Sequence, residues 1–334
     1  MQNRLFSADL MRILAIYLII VLHLAPSNYV GLKHPEGLII SSLLQISVPL
    51  FVMLSGGLLL GKSESYGTFF KKRFIRVVSP WIFWTTVFTF LIIFNNQYSI
   101  LSFVKIFHSV FIPMFWLLPT LSGLYLLTPS LRIYIKHAKQ KEVWLMVLLW
   151  FITVSILPYF RSSPGFPMVP DNGIVRLIIS MLGYYILGYL ITKLKPSKNN
   201  FLIFIILFLA GLSLSSLTYA GIIRSGDVSN ISPGSVLLTI STFALFYFSE
   251  KVLSNKFSMR IKTIIAGISK ATFGVYFAHY LFTNHPPLPI FLRGDEIHTY
   301  IWFSPFLNGM LIMGICLVII FLLQKIPILG KYVT

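Results

Sequence analysis

The chain is 334 residues long, with 56% hydrophobic and 11% charged residues. A soluble domain carries about 25% charged residues, so this chain has too few polar side chains to coat a water-soluble globule. The formal net charge of +18 does not indicate a nucleic-acid-binding surface, because the basic residues occur in short clusters between long apolar runs. The composition excludes a soluble enzyme, a coiled coil and a disordered chain, and it predicts a polytopic membrane protein.

Long apolar segments occur ten times along the chain. A helix that crosses the bilayer needs about 20 mostly apolar residues, so we predict an all-α bundle of about ten spanning helices. These lie at about 8–29, 38–60, 78–96, 114–131, 143–159, 173–192, 201–222, 233–253, 264–284 and 301–324. Prolines interrupt or bound the fourth and fifth segments. The apolar segment 100–112 is too short to span, and we predict a short helix in the membrane interface.

The loops between these segments alternate in charge. One set, which includes both termini, holds 19 of the 27 Lys and Arg residues, and the other set holds 5. Basic loops stay in the cytoplasm, so we predict that both termini are cytoplasmic, which requires an even number of spans. Every loop is too short for a folded domain. We therefore predict a single integral-membrane domain over 1–334, with no appended soluble domain.

The first predicted span carries three ionisable side chains, Asp9, Arg12 and His23. Each such group inside a membrane costs about 3 kcal/mol, which makes it a candidate for function. Asp9 and Arg12 are three residues apart and can face each other. Arg12 and His23 are eleven residues apart, about 20° from three full turns, so they share one helix face about 16 Å apart. The alternatives are a snorkelling interfacial ion pair for Asp9 and Arg12, and a histidine bonded to a neighbouring carbonyl for His23.

Two arginines precede the third span, in the segment KKRFIRVVSP. A spacing of three puts Arg73 and Arg76 on one face of an α-helix, where they can clamp an anion, and Lys72 can add a further charge. The alternative is an ordinary cytoplasmic cluster that holds lipid phosphates.

His279 lies in the ninth segment, at a depth similar to that of His23. No metal site is predicted, because the histidines are scattered and Cys316 is the single cysteine. The sequence contains no G-x-S-x-G, Walker A or H-E-x-x-H motif. Any chemistry is therefore expected within the membrane or at its surfaces.

Six segments of the chain, in order, resemble the acyltransferase-3 family of bacterial integral-membrane acyltransferases. They are RLFSADLMRILAIYLIIVLH, SVPLFVMLSGGLLLGK, FFKKRFIRVVSPW, FWLLPTLSGLYLLTPSLR, MLGYYILGYLI and ISKATFGVYFAHYLF. One such segment is weak support for the family, but six segments in the family's order are fairly specific, and they cover nearly the whole chain. The length is similar to that of the compact subgroup that O-acetylates surface glycans.

The resemblance implies an enzyme of the bacterial cytoplasmic (inner) membrane. It would move an acyl group, acetyl in the compact subgroup, from acyl-CoA at the cytoplasmic face to a hydroxyl of a surface or lipid-linked glycan. Acetyl-CoA would be the co-substrate, and the acyl-CoA, the glycan and membrane lipids would be the partners, with no nucleic acid and no metal. Many relatives carry an extracytoplasmic hydrolase-like domain, which this sequence does not show. The chain would therefore act alone, use a partner, or acylate a lipid-linked glycan directly.

The resemblance also implies roles for individual residues. Arg12 and His23 match first-helix residues regarded as essential in the family, and Arg73 and Arg76 match its R-x-x-R pair, which handles the donor. We predict that Arg12 orients the thioester and that His23 is the general base or a transient acyl carrier. The predicted site is His23, Arg12 and Asp9 as catalytic residues, Arg73, Arg76 and Lys72 as donor-binding residues, and His279, Trp116 and Tyr125 as further candidates.

Two other classes of function stay open at this point. Polar groups along one helix face also suit a permeation path, so the first alternative is a polysaccharide exporter or transporter of similar fold. No inverted repeat is visible, which counts against it. The second alternative is a non-catalytic scaffold, for which Arg73 and Arg76 would tolerate alanine without loss of donor binding.

Overall fold

A computed structural model describes residues 5–25, 35–95, 99, 102–111, 115–160, 173–220, 232–283, 304–327 and 330. The regular elements in these ranges are all helical, and each of the ten predicted segments overlaps at least one of them. In chain order the α-helices are α1 (Phe6–Leu24), α2 (Pro35–Leu44), α3 (Ser47–Leu59), α4 (Tyr66–Arg73), α5 (Ser79–Asn95), α6 (Phe103–Ser109), α7 (Leu117–His137), α8 (Gln140–Phe151), α9 (Gly173–Lys193), α10 (Lys198–Tyr219), α11 (Pro233–Phe248), α12 (Glu250–Lys256), α13 (Met259–Ala278), α14 (Tyr280–Thr283) and α15 (Ser304–Gln324).

Six helical runs of the described chain are long and apolar enough to cross a membrane. They are Phe6–Leu24, Glu36–Leu59, Tyr66–Asn95, Gly173–Lys193, Lys198–Tyr219 and Pro305–Gln324. This confirms a multi-pass helical membrane protein, whereas the count of about ten spans stays a prediction. The cytoplasmic location of the termini also stays a prediction, because 1–4 and 331–334 lie outside the described residues.

Large apolar side chains remain exposed on the outer faces of α10 and α15. On α10 they include Leu202, Ile203, Ile206 and Leu209, and on α15 Leu307, Met310, Val318 and Leu322. Exposed apolar faces of this extent are costly in water and ordinary in lipid. The two helices therefore have the surface expected of spans that contact lipid.

Two helices widen into π-helical turns, at Phe74–Val78 and at Ile152–Ile156. In each case a proline follows two residues later, Pro80 and Pro158. A proline donates no hydrogen bond, and its ring clashes with the carbonyl four residues back. A wider turn before the proline moves that carbonyl aside, and Ser79 N–H accordingly donates to Phe74 O, five residues back.

Helix α1 lies at the centre of the bundle, against α3, α13 and α15. Next to it, α3 and α9 pack with their backbones in close contact. A Cβ added at Gly56 would overlap the carbonyl of Tyr185, and one at Gly188 would overlap the carbonyl of Met53. Small residues allow this approach between membrane helices. The pair forms a rigid wall beside the helix that carries Asp9, Arg12 and His23.

Candidate active site

The N-terminus of α1 is held by an acid from α12. The Glu250 carboxylate accepts hydrogen bonds from the backbone N–H groups of Phe6, at 3.0 Å, and Ser7, at 2.6 Å. A carboxylate at a helix N-terminus satisfies donors that have no partner within the helix, and it complements the positive end of the helix dipole. This contact fixes the start of the helix three residues before Asp9.

Asp9 and Arg12 of α1 both form hydrogen bonds with Ser269 of α13. The Ser269 hydroxyl donates to Asp9 Oδ1 at 2.7 Å and accepts from Arg12 Nη1 at 2.9 Å. Arg12 Nη1 also lies 3.5 Å from Asp9 Oδ1. Asp9 and Ser269 are buried, whereas the Arg12 side chain is 27% exposed. These three residues form the Arg12 cluster, in which a buried carboxylate and hydroxyl hold a guanidinium whose outer part stays accessible.

Arg73 lies between two aromatic rings at the end of α4. Its Cζ is 5.4 Å from the ring centre of Phe69 and 5.8 Å from that of Tyr125. Its Nε is buried and makes no hydrogen bond to any described residue. Ser55 is hydrogen-bonded to the Tyr125 hydroxyl, which also interacts electrostatically with both Arg73 and Arg12. The Arg73 site therefore adjoins the Arg12 cluster.

Arg76 is placed differently from Arg73. The prediction that both share a face assumed α-helical spacing, but the turn between them is π-helical. In a π-helix three residues cover less of a turn. Arg73 is half-buried and Arg76 is exposed.

The acid nearest to these cations is already paired. Glu64 Oε2 lies 2.9 Å from Lys72 Nζ, and Glu64 Oε1 lies 3.2 Å from Arg132 Nη2. The hydrogen bond from Lys72 has the largest effect and lowers the pKa of the Glu64 carboxyl; burial opposes it, and the hydrogen bond from Arg132 lowers the pKa further. Lys72, predicted to bind the donor, therefore forms an ion pair with Glu64.

Lys62 lies in the same positive region. Partial burial, followed by the nearby Arg73 guanidinium, lowers the pKa of its ammonium group, and Lys72 and Arg76 act in the same direction. Glu64 opposes this effect, but its carboxylate is shared with Lys72 and Arg132. Lys62, Arg73 and Arg76 therefore add positive potential to one region, which favours a bound anion there.

The other end of the α1 face lies against the end of α13. The Tyr280 hydroxyl and His23 Nε2 are 3.3 Å apart, and the ring centres of His23 and His279 are 5.3 Å apart. Both His23 and Arg12 therefore contact the α13–α14 segment, which confirms that they share one face. His23, His279 and Tyr280 form the His23 cluster.

Within the His23 cluster, exposure differs between the two histidines. His23 is exposed and His279 is fully buried, at the break between α13 and α14. Neither ring nitrogen of His279 makes a well-formed hydrogen bond within the described chain, although the backbone of Val275 and Tyr276 lies near the ring. A buried imidazole without good partners is costly, which suggests that the position serves more than packing.

Aromatic rings surround the His23 cluster. Phe115 and Phe88 lie 5.4 Å and 6.5 Å from Tyr280, and Trp84 stacks on Phe277 at 6.1 Å. The buried Trp84 Nε1 makes no hydrogen bond to the residues described. Trp116, a predicted candidate, is the N-cap residue of α7, and its carbonyl accepts a hydrogen bond from the Thr120 hydroxyl at 2.9 Å.

A separate cavity of about 230 Å³ lies between α1, α3, α9 and α11. Its lining includes Met11, Leu58 and Phe243 and contains none of the predicted site residues. Its polar groups are already used, since the Tyr247 hydroxyl donates to Thr192 O at 3.1 Å.

Sequence reasoning missed Ser269, Tyr280, Arg132, Glu64 and Glu250. A usable signal existed for the two acids, because Asp and Glu total only 9 in the chain and an acid within a basic loop is conspicuous. The hydroxyl residues gave no signal, since Ser and Tyr are common in membrane helices. No group of three or more His, Cys, Asp or Glu residues able to hold a metal ion occurs in the described ranges.

A family model described as an acyltransferase domain matches residues 5–325, essentially the whole chain. No curated protein and no solved structure gives a significant match. Since the match covers Asp9 through Tyr280, the chain belongs to the acyltransferase-3 family and is a membrane acyltransferase.

Proposed function

We propose that this protein is a membrane O-acyltransferase of the bacterial cytoplasmic membrane. It transfers an acyl group, acetyl in the simplest case, from acyl-CoA at the cytoplasmic face to a hydroxyl of a surface or lipid-linked glycan. Residues 1–334 act as one integral-membrane domain, with both termini in the cytoplasm.

The observation that carries this proposal is the presence of two unlike sites, one on the side of Arg12 near the start of α1 and the other at His23 near its end. At one end, Arg73 has a buried Nε without a partner, and Lys62 and Arg76 lie close by. Such a cationic site suits the phosphates of coenzyme A, because guanidinium groups form strong charge-assisted hydrogen bonds to phosphate. At the other end, His23 offers an exposed imidazole next to Tyr280.

The transfer step follows from these positions. Arg73, Arg76 and Lys62 hold the CoA phosphates, and Arg12 orients the arm that carries the thioester. The acceptor hydroxyl gives its proton to neutral His23 while its oxygen attacks the thioester carbonyl. A C–O bond forms, the C–S bond breaks, and the leaving thiolate takes the proton back from the imidazolium. Histidine suits both transfers because its unperturbed pKa of about 6.5 lies near neutrality.

The test uses purified protein in lipid nanodiscs with acetyl-CoA and a lipid-linked glycan. We expect release of free CoA together with an acetyl ester on the glycan, detected by mass spectrometry. His23→Ala should abolish the ester while CoA still binds, because the base and the donor site are separate. Lys270→Ala is the matched control: it alters α13, but Lys270 is exposed and outside both sites.

Two outcomes would contradict the proposal. Normal ester formation by His23→Ala would remove His23 from the reaction. Movement of glycan across the membrane without release of CoA would instead indicate a transporter.

A further inference from the structure

Two guanidinium groups lie over the ring of Phe69. Arg132 Cζ is 4.7 Å from the centre of its ring and Arg73 Cζ is 5.4 Å from it. Phe69 is fully buried and meets the Tyr125 ring edge-on at 6.4 Å. Two like charges on one ring repel each other, so at least one of them must be held there by other contacts.

The two arginines are held very differently. Arg132 donates from Nε, at 3.0 Å, and from Nη2, at 2.7 Å, to the carbonyl of Leu59. Its charge is neutralised by Glu64 at 3.2 Å, and its side chain is only 12% exposed. It therefore occupies one fixed orientation, anchored to the last residue of α3.

Arg73 has none of these anchors. Its buried Nε makes no hydrogen bond within the described structure, and its guanidinium lies over the rings of Phe69 and Tyr125. The direction of its guanidinium therefore depends on where these rings lie. The ring of Phe69 is in turn covered by Arg132.

From this chain of contacts we infer that Arg132 is a positioning residue for donor binding. It fixes the Phe69 ring, and the ring orients the Arg73 guanidinium toward the donor phosphates. Arg132 is not assigned a contact with the donor, because its Nε and Nη2 donors bond to Leu59 and Glu64 and its charge is paired with Glu64. The inference rests on the proposed function, in which Arg73 binds CoA.

Lysine cannot replace arginine in this role. An ammonium keeps the charge opposite Glu64, but it lacks the planar group that covers a ring and the fork that binds one carbonyl twice. Arg132→Lys should therefore keep the fold, but the Arg73 guanidinium should no longer be held in one orientation. A residue needed only for charge or stability would tolerate the same change.

The experiment measures CoA binding by calorimetry on the full-length protein in nanodiscs. We expect Arg132→Lys and Arg132→Gln to weaken binding about tenfold, which is the scale of a desolvated cation–π contact. Turnover at saturating acetyl-CoA should stay near that of the unchanged protein, so the loss lies in KM. Lys136→Gln is the matched control. Lys136 is an exposed side chain on α7, about one turn after Arg132, and its replacement also removes a positive charge. The affinity for CoA should change by less than about twofold.

A double-mutant cycle distinguishes the positioning role of Arg132 from the binding of CoA by Arg73. With Arg73→Gln in place, Arg132→Lys should weaken CoA binding no further. Additive losses, or an equal loss in Lys136→Gln, would overturn the role of Arg132, as would unchanged affinity in Arg132→Lys. If instead Arg73→Gln alone binds CoA normally, the donor site of the proposed function is wrong.

Discussion

Replacing Ser269 by alanine tests the contact that joins α1 to α13. The Ser269 hydroxyl is fully buried and bonds Asp9 and Arg12 at the same time, at 2.7 Å and 2.9 Å. Alanine removes both bonds with almost no change in volume. The Asp9 carboxylate then loses a donor, and Arg12 keeps its contact of 3.5 Å to that carboxylate.

The size of the effect follows from the charge of the partners. A hydrogen bond to a charged group contributes about 1.5–3 kcal/mol. Ser269→Ala removes two such hydrogen bonds. The Arg12 side chain is 27% exposed, so water can replace part of the hydrogen bonding that Arg12 loses. We expect the free energy of unfolding to fall by about 2–3 kcal/mol, and kcat/KM to fall about 10- to 100-fold as Arg12 loses its orientation.

Denaturant unfolding in mixed micelles measures the stability, and acetyl transfer to the glycan measures the activity. The matched control is Thr272→Val on the same helix. Its hydroxyl is equally buried but donates only to the Ser269 carbonyl within α13, at 2.8 Å. Thr272→Val should reduce activity less than about twofold, since bonds within a helix do not orient Arg12.

Full activity of Ser269→Ala, or an equal loss of activity in Thr272→Val, would contradict this prediction. Either result would mean that the hydroxyl does not set the position of Arg12. Ser269→Thr keeps a hydroxyl and should recover most of the loss.

Three further changes test other parts of the structure. Glu250→Gln removes the carboxylate charge at the N-terminus of α1. It should lower the free energy of unfolding by about 1–2 kcal/mol, the scale of a lost helix cap, which denaturant unfolding in the same micelles measures. Gly188→Ala should cost more than about 3 kcal/mol, because its Cβ would overlap a backbone carbonyl, whereas Gly267→Ala, with open space around it, should be neutral or slightly stabilising. The lowered pKa of Glu64 means that its ion pairs stabilise the fold above the ordinary value of 4.5 and are lost as pH falls below it. The melting temperature should therefore drop more steeply on acidification in the unchanged protein than in Glu64→Gln.

The sequence was sufficient for the helical class and for the positions of the main helices. The apolar period that marks α1 also put Arg12 and His23 on one face, and the structure confirms this. Helix ends were harder, because a proline acts on the turn before it: the segment before Pro80 forms a π-helical turn, which changes the angle between Arg73 and Arg76 around the helix. Ser269 and Arg132 were not predictable, since each matters through residues more than 60 positions away along the chain.

The α13–α14 segment reaches both ends of the α1 face, with Ser269 against Arg12 and with His279 and Tyr280 against His23. Helices are stiff over this length, so a sliding or turning of α13 along α1 changes both places in the same movement. A change at the Arg12 end cannot leave the His23 end undisturbed unless α13 bends. The segment is therefore a mechanical link between the Arg12 cluster and the His23 cluster, and the break at His279 is a place where its two ends can be adjusted separately.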